Sequence, residues 1–231
     1  MRKQPWVYLF LVVLLIHLAA IYFDNTPIEK ITKPLLIILL AGYFIVSTRR
    51  VNSSLRKSVL LALFFSWAGD VLLMFVSDNS NFFLAGLVSF LIAHIFYIIF
   101  FHSVRVQQDV KPKAFLLIPV LVYYVALITF LSPHLGDMKL PVRIYGVVIC
   151  FMLMLALHML YIKSKNTGFL MLIGALLFVI SDSVLAINKF YITFNGAGII
   201  IMLTYSVAQL LITKGAIDYI SSEIEKQKSG T

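Results

Sequence analysis

Two carboxyl groups stand where carboxyl groups are costly. Asp70 lies in Ser66-Trp67-Ala68-Gly69-Asp70-Val71-Leu72-Leu73-Met74, within a long apolar run. Asp182 lies the same way in Ile180-Ser181-Asp182-Ser183-Val184-Leu185. An ionisable side chain inside a membrane span is expensive and marks a functional site by default. No obvious basic partner shares either run. Held close together, the two groups would not both ionise readily, and one would keep its proton at neutral pH. That is the arrangement of a general acid beside a general base. Asp70 and Asp182 are therefore the candidate catalytic residues, expected to face each other across a polar cavity.

Five further residues are candidates for holding a substrate. Lys33, in Lys33-Pro34-Leu35, reads either as a lysine snorkelling to the interface or as a cation near the acids that holds a phosphate or tunes the pair. Pro34 is expected in a first helical turn, where proline is tolerated. Gly86, Ser89, Ala93 and Tyr97 recur at helical spacing and make a small, close-packing face. His94 is in mid-run, and Tyr97, three residues on, shares its helix face. Tyr205 and Gln209, four residues apart, form a second polar pair. His17, His102, His134 and His158 are isolated. Asp70, Asp182 and His94 could ligate a metal on paper, but no HExxH-like spacing exists, so no metal or other cofactor is expected. No P-loop, GxGxxG or GxSxG occurs.

The elements that must position these residues are legible in the composition. The chain has 231 residues, 61% hydrophobic and 13% charged, with mean hydropathy +0.98, where a water-soluble domain carries roughly 25% charge. This is an all-α, polytopic membrane protein. The net charge of +9 does not imply nucleic acid, because the basic residues fall between apolar runs rather than on one patch. The single cysteine, Cys150, excludes an internal disulfide. The first apolar run is longer than a signal-peptide core and lacks a clean cleavage site, so it reads as a transmembrane helix.

A crossing helix needs about 20 apolar residues. Eight segments fit: 6–23, 31–47, 58–76, 82–101, 114–131, 142–162, 168–187 and 191–213. They form a single eight-span domain over residues 1–215, followed by a polar tail, 216–231, expected to fray after Lys214. With the N-terminus inside, fourteen of the nineteen Lys and Arg residues fall on the cytoplasmic side. The positive-inside rule thus places both termini in the cytoplasm and the protein in the cell membrane. The similar settings of Asp70 and Asp182 hint at a duplication of four spans per half, a parallel repeat. Both acids then lie in outward-running spans at similar depth, in the outer half of the bilayer.

An ordered set of motifs carries a family resemblance: Lys33-Pro34-Leu35; Gly69-Asp70-Val71-Leu72-Leu73-Met74; Phe83 with Gly86-Leu87; His94 with Tyr97; Gly174-Ala175 with Phe178; Ser181-Asp182; and Tyr205 with Gln209. In order and spacing, across nearly the whole chain, it resembles the YhhN-like lysoplasmalogenase family. The resemblance implies a multi-pass hydrolase that cleaves the vinyl-ether bond of a lysophospholipid, giving a fatty aldehyde and glycerophosphocholine or glycerophosphoethanolamine. It further implies membrane lipid as surroundings and source of substrate. The chemistry suits two carboxyls, since vinyl-ether hydrolysis passes through an oxocarbenium-like cation, as glycosidase chemistry does. The competing reading is a transporter in which the same acids relay protons or bind a cation.

Overall fold

In a bilayer the backbone has no water to bond to, so each apolar run closes its hydrogen bonds within itself. The computed structural model describes residues 4–49, 51 and 53–229, and among these there is no strand. Arg2, Lys3 and Arg50, used above to orient the chain, lie outside the described residues. The helices are α1 (Gln4–Tyr22), α2 (Thr26–Thr48), α3 (Ser54–Leu73), α4 (Asn81–Gln107), α5 (Leu117–Leu131), α6 (Lys139–His158), α7 (Lys165–Phe190) and α8 (Ala197–Ser229), with short 3₁₀ turns before α5 and on either side of α6. They match the eight expected segments in order. Seven are long and apolar enough to cross a membrane. The exception is α3, which carries Arg56, Lys57 and Asp70 within its 20 residues.

Several boundaries differ from the expectation, α8 starting at Ala197 rather than 191 among them, and three bear on the argument. First, α2 begins at Thr26, capped by Asn25, whose Oδ1 accepts from the Ile28 N–H at 3.3 Å. Pro34 therefore sits inside the helix rather than in its first turn. It has no N–H to offer the preceding turn, a standing cause of helix bending. Second, α4 runs on to Gln107. Third, the fraying expected after Lys214 does not occur. α8 continues to Ser229, and Ala216, Ile217, Tyr219 and Ile220 are buried against the bundle.

The two halves of the chain repeat. Shifted by 112 residues, α1, α2 and α3 start within about one residue of α5, α6 and α7, and α4 starts about four short of α8. The same shift carries Lys33 onto Tyr145, Asp70 onto Asp182, Gly86 onto Gly198 and Tyr97 onto Gln209. In each half the third and fourth helices pair most intimately. Ser89 in α4 donates to the Phe65 carbonyl of α3 at 2.7 Å, and Ser181 in α7 donates to the Ile201 carbonyl of α8 at 3.0 Å. Small residues permit the approach: a Cβ on Gly86 would stand 2.7 Å from Leu73 Cδ2, and one on Gly174 2.9 Å from the Ala208 carbonyl oxygen. The Tyr97 hydroxyl donates to Gln209 Oε1 at 2.5 Å. Tyr97 and Gln209, equivalent in this register, are thus in direct contact between the halves.

The isolated histidines include two structural ties. His17 Nδ1 pairs with Thr32 Oγ1 at 2.8 Å, joining α1 to α2. His158 Nε2 accepts from the Lys113 N–H at 3.0 Å, pinning the segment before α5 to the end of α6.

Candidate active site

Asp70 lies near the end of α3, with its side chain only 3% exposed. Lys33 of α2 brings its Nζ to 3.9 Å from Oδ1. From α8, the Tyr205 hydroxyl donates to Oδ2 at 2.7 Å. Gly69 lets α4 come close here, since a Cβ there would stand 2.7 Å from the Phe90 ring. The first acid thus has a cation and a phenol as partners.

Asp182 occupies the equivalent place in α7, with equivalent geometry but different chemistry. From α6, the Tyr145 hydroxyl donates to Oδ2 at 2.5 Å. From α4, His94 Nε2 comes to 3.8 Å from the same oxygen. Each acid therefore meets the second helix of its own half and the fourth helix of the other. The Asp182 side chain is 16% exposed, and it lines two cavities of about 40 Å³ each, one between α4, α6 and α7 and one between α5, α6 and α7. That volume suits a few waters, not a lipid. Apart from Asp182, Tyr145, two further tyrosines and Ser183, the linings are apolar.

His94 is fully buried, and among the described residues neither ring nitrogen has a hydrogen-bond partner of good geometry. An unsatisfied buried polar side chain in a native fold calls for an explanation. Its ring meets Phe178 edge-on at 4.7 Å and Tyr145 at 5.3 Å between centroids.

The acids do not touch. Phe90, Phe178 and Tyr205 meet in mutual edge-to-face contact, Tyr205 bonding Asp70 and Phe178 lying against His94, the neighbour of Asp182. The two cavities that Asp182 lines do not include Asp70. The remaining candidates, Tyr97 and Gln209, form a separate buried link in which Gln209 Nε2 also donates to Ser66 Oγ at 2.9 Å, one turn of α3 before Asp70. Tyr145, Ser66, and the Tyr123–Ser183 hydroxyl pair beside Asp182 were not singled out from sequence. The 112-residue register holds a signal for one of them, because it sends Lys33 to Tyr145. Among the described residues no three His, Cys, Asp or Glu side chains gather as a metal site would require.

Comparison with known proteins places the chain. The model of the YhhN family matches residues 28–216. The chain is 32% identical over 189 residues to the human protein named lysoplasmalogenase TMEM86B, covering 81% of this chain and 74% of that one. It is 30% identical over 165 residues to human lysoplasmalogenase TMEM86A, covering 69% and 65%. Against the Mycobacterium tuberculosis protein named lysoplasmalogenase, it is 28% identical over 163 residues, covering 69% and 60%. No solved structure matches.

Proposed function

Because this chain belongs to the YhhN family, whose curated relatives are named lysoplasmalogenases, we propose that it hydrolyses the vinyl-ether bond of a lysoplasmalogen within the membrane, with Asp182 as proton donor and Asp70 as the anionic partner. The products are a fatty aldehyde and a glycerophospho-base. The observation that carries the division of roles is the difference between two equivalent places. Lys33 balances a negative charge on Asp70, whereas Asp182 has a phenol and an imidazole as neighbours and opens onto apolar cavities.

The steps balance with these residues alone. The Asp182 carboxylic acid gives its proton to the vinyl carbon remote from oxygen, forming a C–H bond and leaving an oxocarbenium ion. The new Asp182 carboxylate and the Asp70 charge stabilise that cation, an electrostatic effect strongest in a dry site. Water adds to the carbon next to oxygen. Its proton passes to Tyr205 as Tyr205 hands its own to Asp70, along the existing hydrogen bond. The hemiacetal then collapses: its hydroxyl proton returns to Asp182, and the departing glycerol oxygen takes a proton from Tyr205, which recovers its own from Asp70 along the same hydrogen bond. His94, whose Nε2 lies 3.8 Å from Asp182 Oδ2, orients the Asp182 carboxyl. Positioned acid–base groups typically contribute about 10²–10⁴-fold each.

Purified protein in detergent, given an alkenyl lysophospholipid in deuterated water, should release an aldehyde with one deuterium on the carbon beside the carbonyl when trapped at once. An aldehyde without that deuterium refutes proton donation to carbon. No turnover, together with proton-coupled flux in liposomes, replaces the enzyme by a transporter.

A further inference from the structure

The cavities beside Asp182 are too small for a lipid, yet they are not isolated. A third cavity, about 420 Å³ and almost wholly apolar, lies between α4, α5 and α6. Tyr124 and Cys150 line both this groove and the small cavity that Asp182 shares with α5. The order along α6 gives the path a direction. Tyr145 touches Asp182, Cys150 stands at the junction, and Met154 lines the far part of the groove. Nine residues of helix separate Tyr145 from Met154, about 14 Å along the bundle. Asp182 lies eight residues before the Phe190 end of α7, and the groove extends the other way, to Leu117 at the start of α5 and Met154 near the end of α6. A single-chain lipid with its reactive bond at Asp182 has its tail to place along such a path.

We infer that the α4–α5–α6 groove holds the hydrocarbon tail of the lysolipid, and that the tail reaches Asp182 by parting α5 from α6 at Tyr124, Gly146 and Cys150. This rests on the reading of the chain as a lysolipid hydrolase. The continuity of the groove with Asp182 names the occupant. The loosest helix forms its wall, since α5 buries only Val120 and Leu131 along its length. Gly146 sets the width of the passage: a Cβ there would stand 3.0 Å from the Tyr124 ring. Opening parts α5 from α6 at the cost of the Tyr124 hydroxyl's bond to the Arg143 carbonyl, without breaking the α3–α4 or α7–α8 pairs that hold the acids.

The test uses full-length protein and a saturated alkyl-ether lysophosphatidylcholine, which resists vinyl-ether hydrolysis, carrying a diazirine at the tail end. Photolysis should label α5 and α6 around Leu117, Phe151 and Met154, and excess unlabelled lysolipid should abolish the labelling. Labelling elsewhere, or labelling that does not saturate, overturns the proposal and leaves only annular lipid. A second measurement is chain-length selectivity. Val147 and Leu121 face outward from the bundle, so tryptophan there leaves the fold intact. Val147→Trp and Leu121→Trp should lower kcat/KM for a hexadecenyl substrate about tenfold and spare a hexenyl one. Equal loss for both chains, or none, overturns the proposal. If the wild type cleaves no vinyl ether but the competed label still maps to the groove, the tail site stands and the hydrolase reading fails.

Discussion

Two carboxyls in equivalent places with unlike neighbours make a sharp prediction at the residue scale. Asp70→Asn and Asp182→Asn should each fold and lose about 10²–10⁴-fold in turnover, and the double variant should be little worse than the poorer single, because residues acting as a unit are not additive. A folded single variant with near wild-type turnover removes the mechanism. Lys33 separates two roles. If it balances Asp70, as the 3.9 Å approach supports, Lys33→Gln should lower kcat about tenfold with little change in KM; a rise in KM alone would make it a phosphate anchor. Both acids were visible in the sequence because charge in an apolar run has no cheap explanation. Tyr145 was not, because a tyrosine in a span is ordinary. Its importance comes from touching Asp182, a fact of tertiary geometry that only the repeat register foreshadows. The mutual contact of Phe90, Phe178 and Tyr205 was invisible for the same reason, since aromatic residues are everywhere in this chain.

The unit at the next scale is the helix pair. α7 must hold Asp182 at a fixed depth, and it begins against the turn that ends α6. A Cβ on Gly168 would stand 2.0 Å from the Met159 carbonyl oxygen, and backbone cannot step aside as a side chain can. Gly168→Ala should therefore cost about 1–3 kcal/mol, read as a lower Tm in detergent, while the folded fraction keeps its kcat. An unchanged Tm would contradict the close approach. Hydropathy located all eight helices in order, because the bilayer imposes both length and composition. It misplaced the ends of α2, α4 and α8, because it reads the apolar slab and not the helix. Thr26 to Lys30 are helical but polar, held by the Asn25 cap, and so Pro34 looked terminal when it is internal. The residues after Lys214 alternate polar with apolar, and there Ala216, Ile217, Tyr219 and Ile220 prove to be one buried face.

For the whole molecule, the arrangement of basic residues leads us to expect both termini in the cytoplasm, so that the acids lie toward the outer leaflet. Reporters fused after Lys113 and Lys163 should read inside, and one at Asn79 outside; an outside signal at Lys113 would invert the orientation and with it the leaflet that supplies substrate. The contact of Tyr97 with Gln209, equivalent positions of the two halves, bears on how such a molecule can come about. A half-length ancestor paired with its own copy would set every axial residue against its twin, phenol on phenol or carboxamide on carboxamide. Both acids would then have identical surroundings, and neither could specialise. Joined in one gene, the copies are free to drift: one acid keeps an ammonium beside it, the other gains a phenol. Donor and acceptor can be different groups only because the symmetry is no longer enforced.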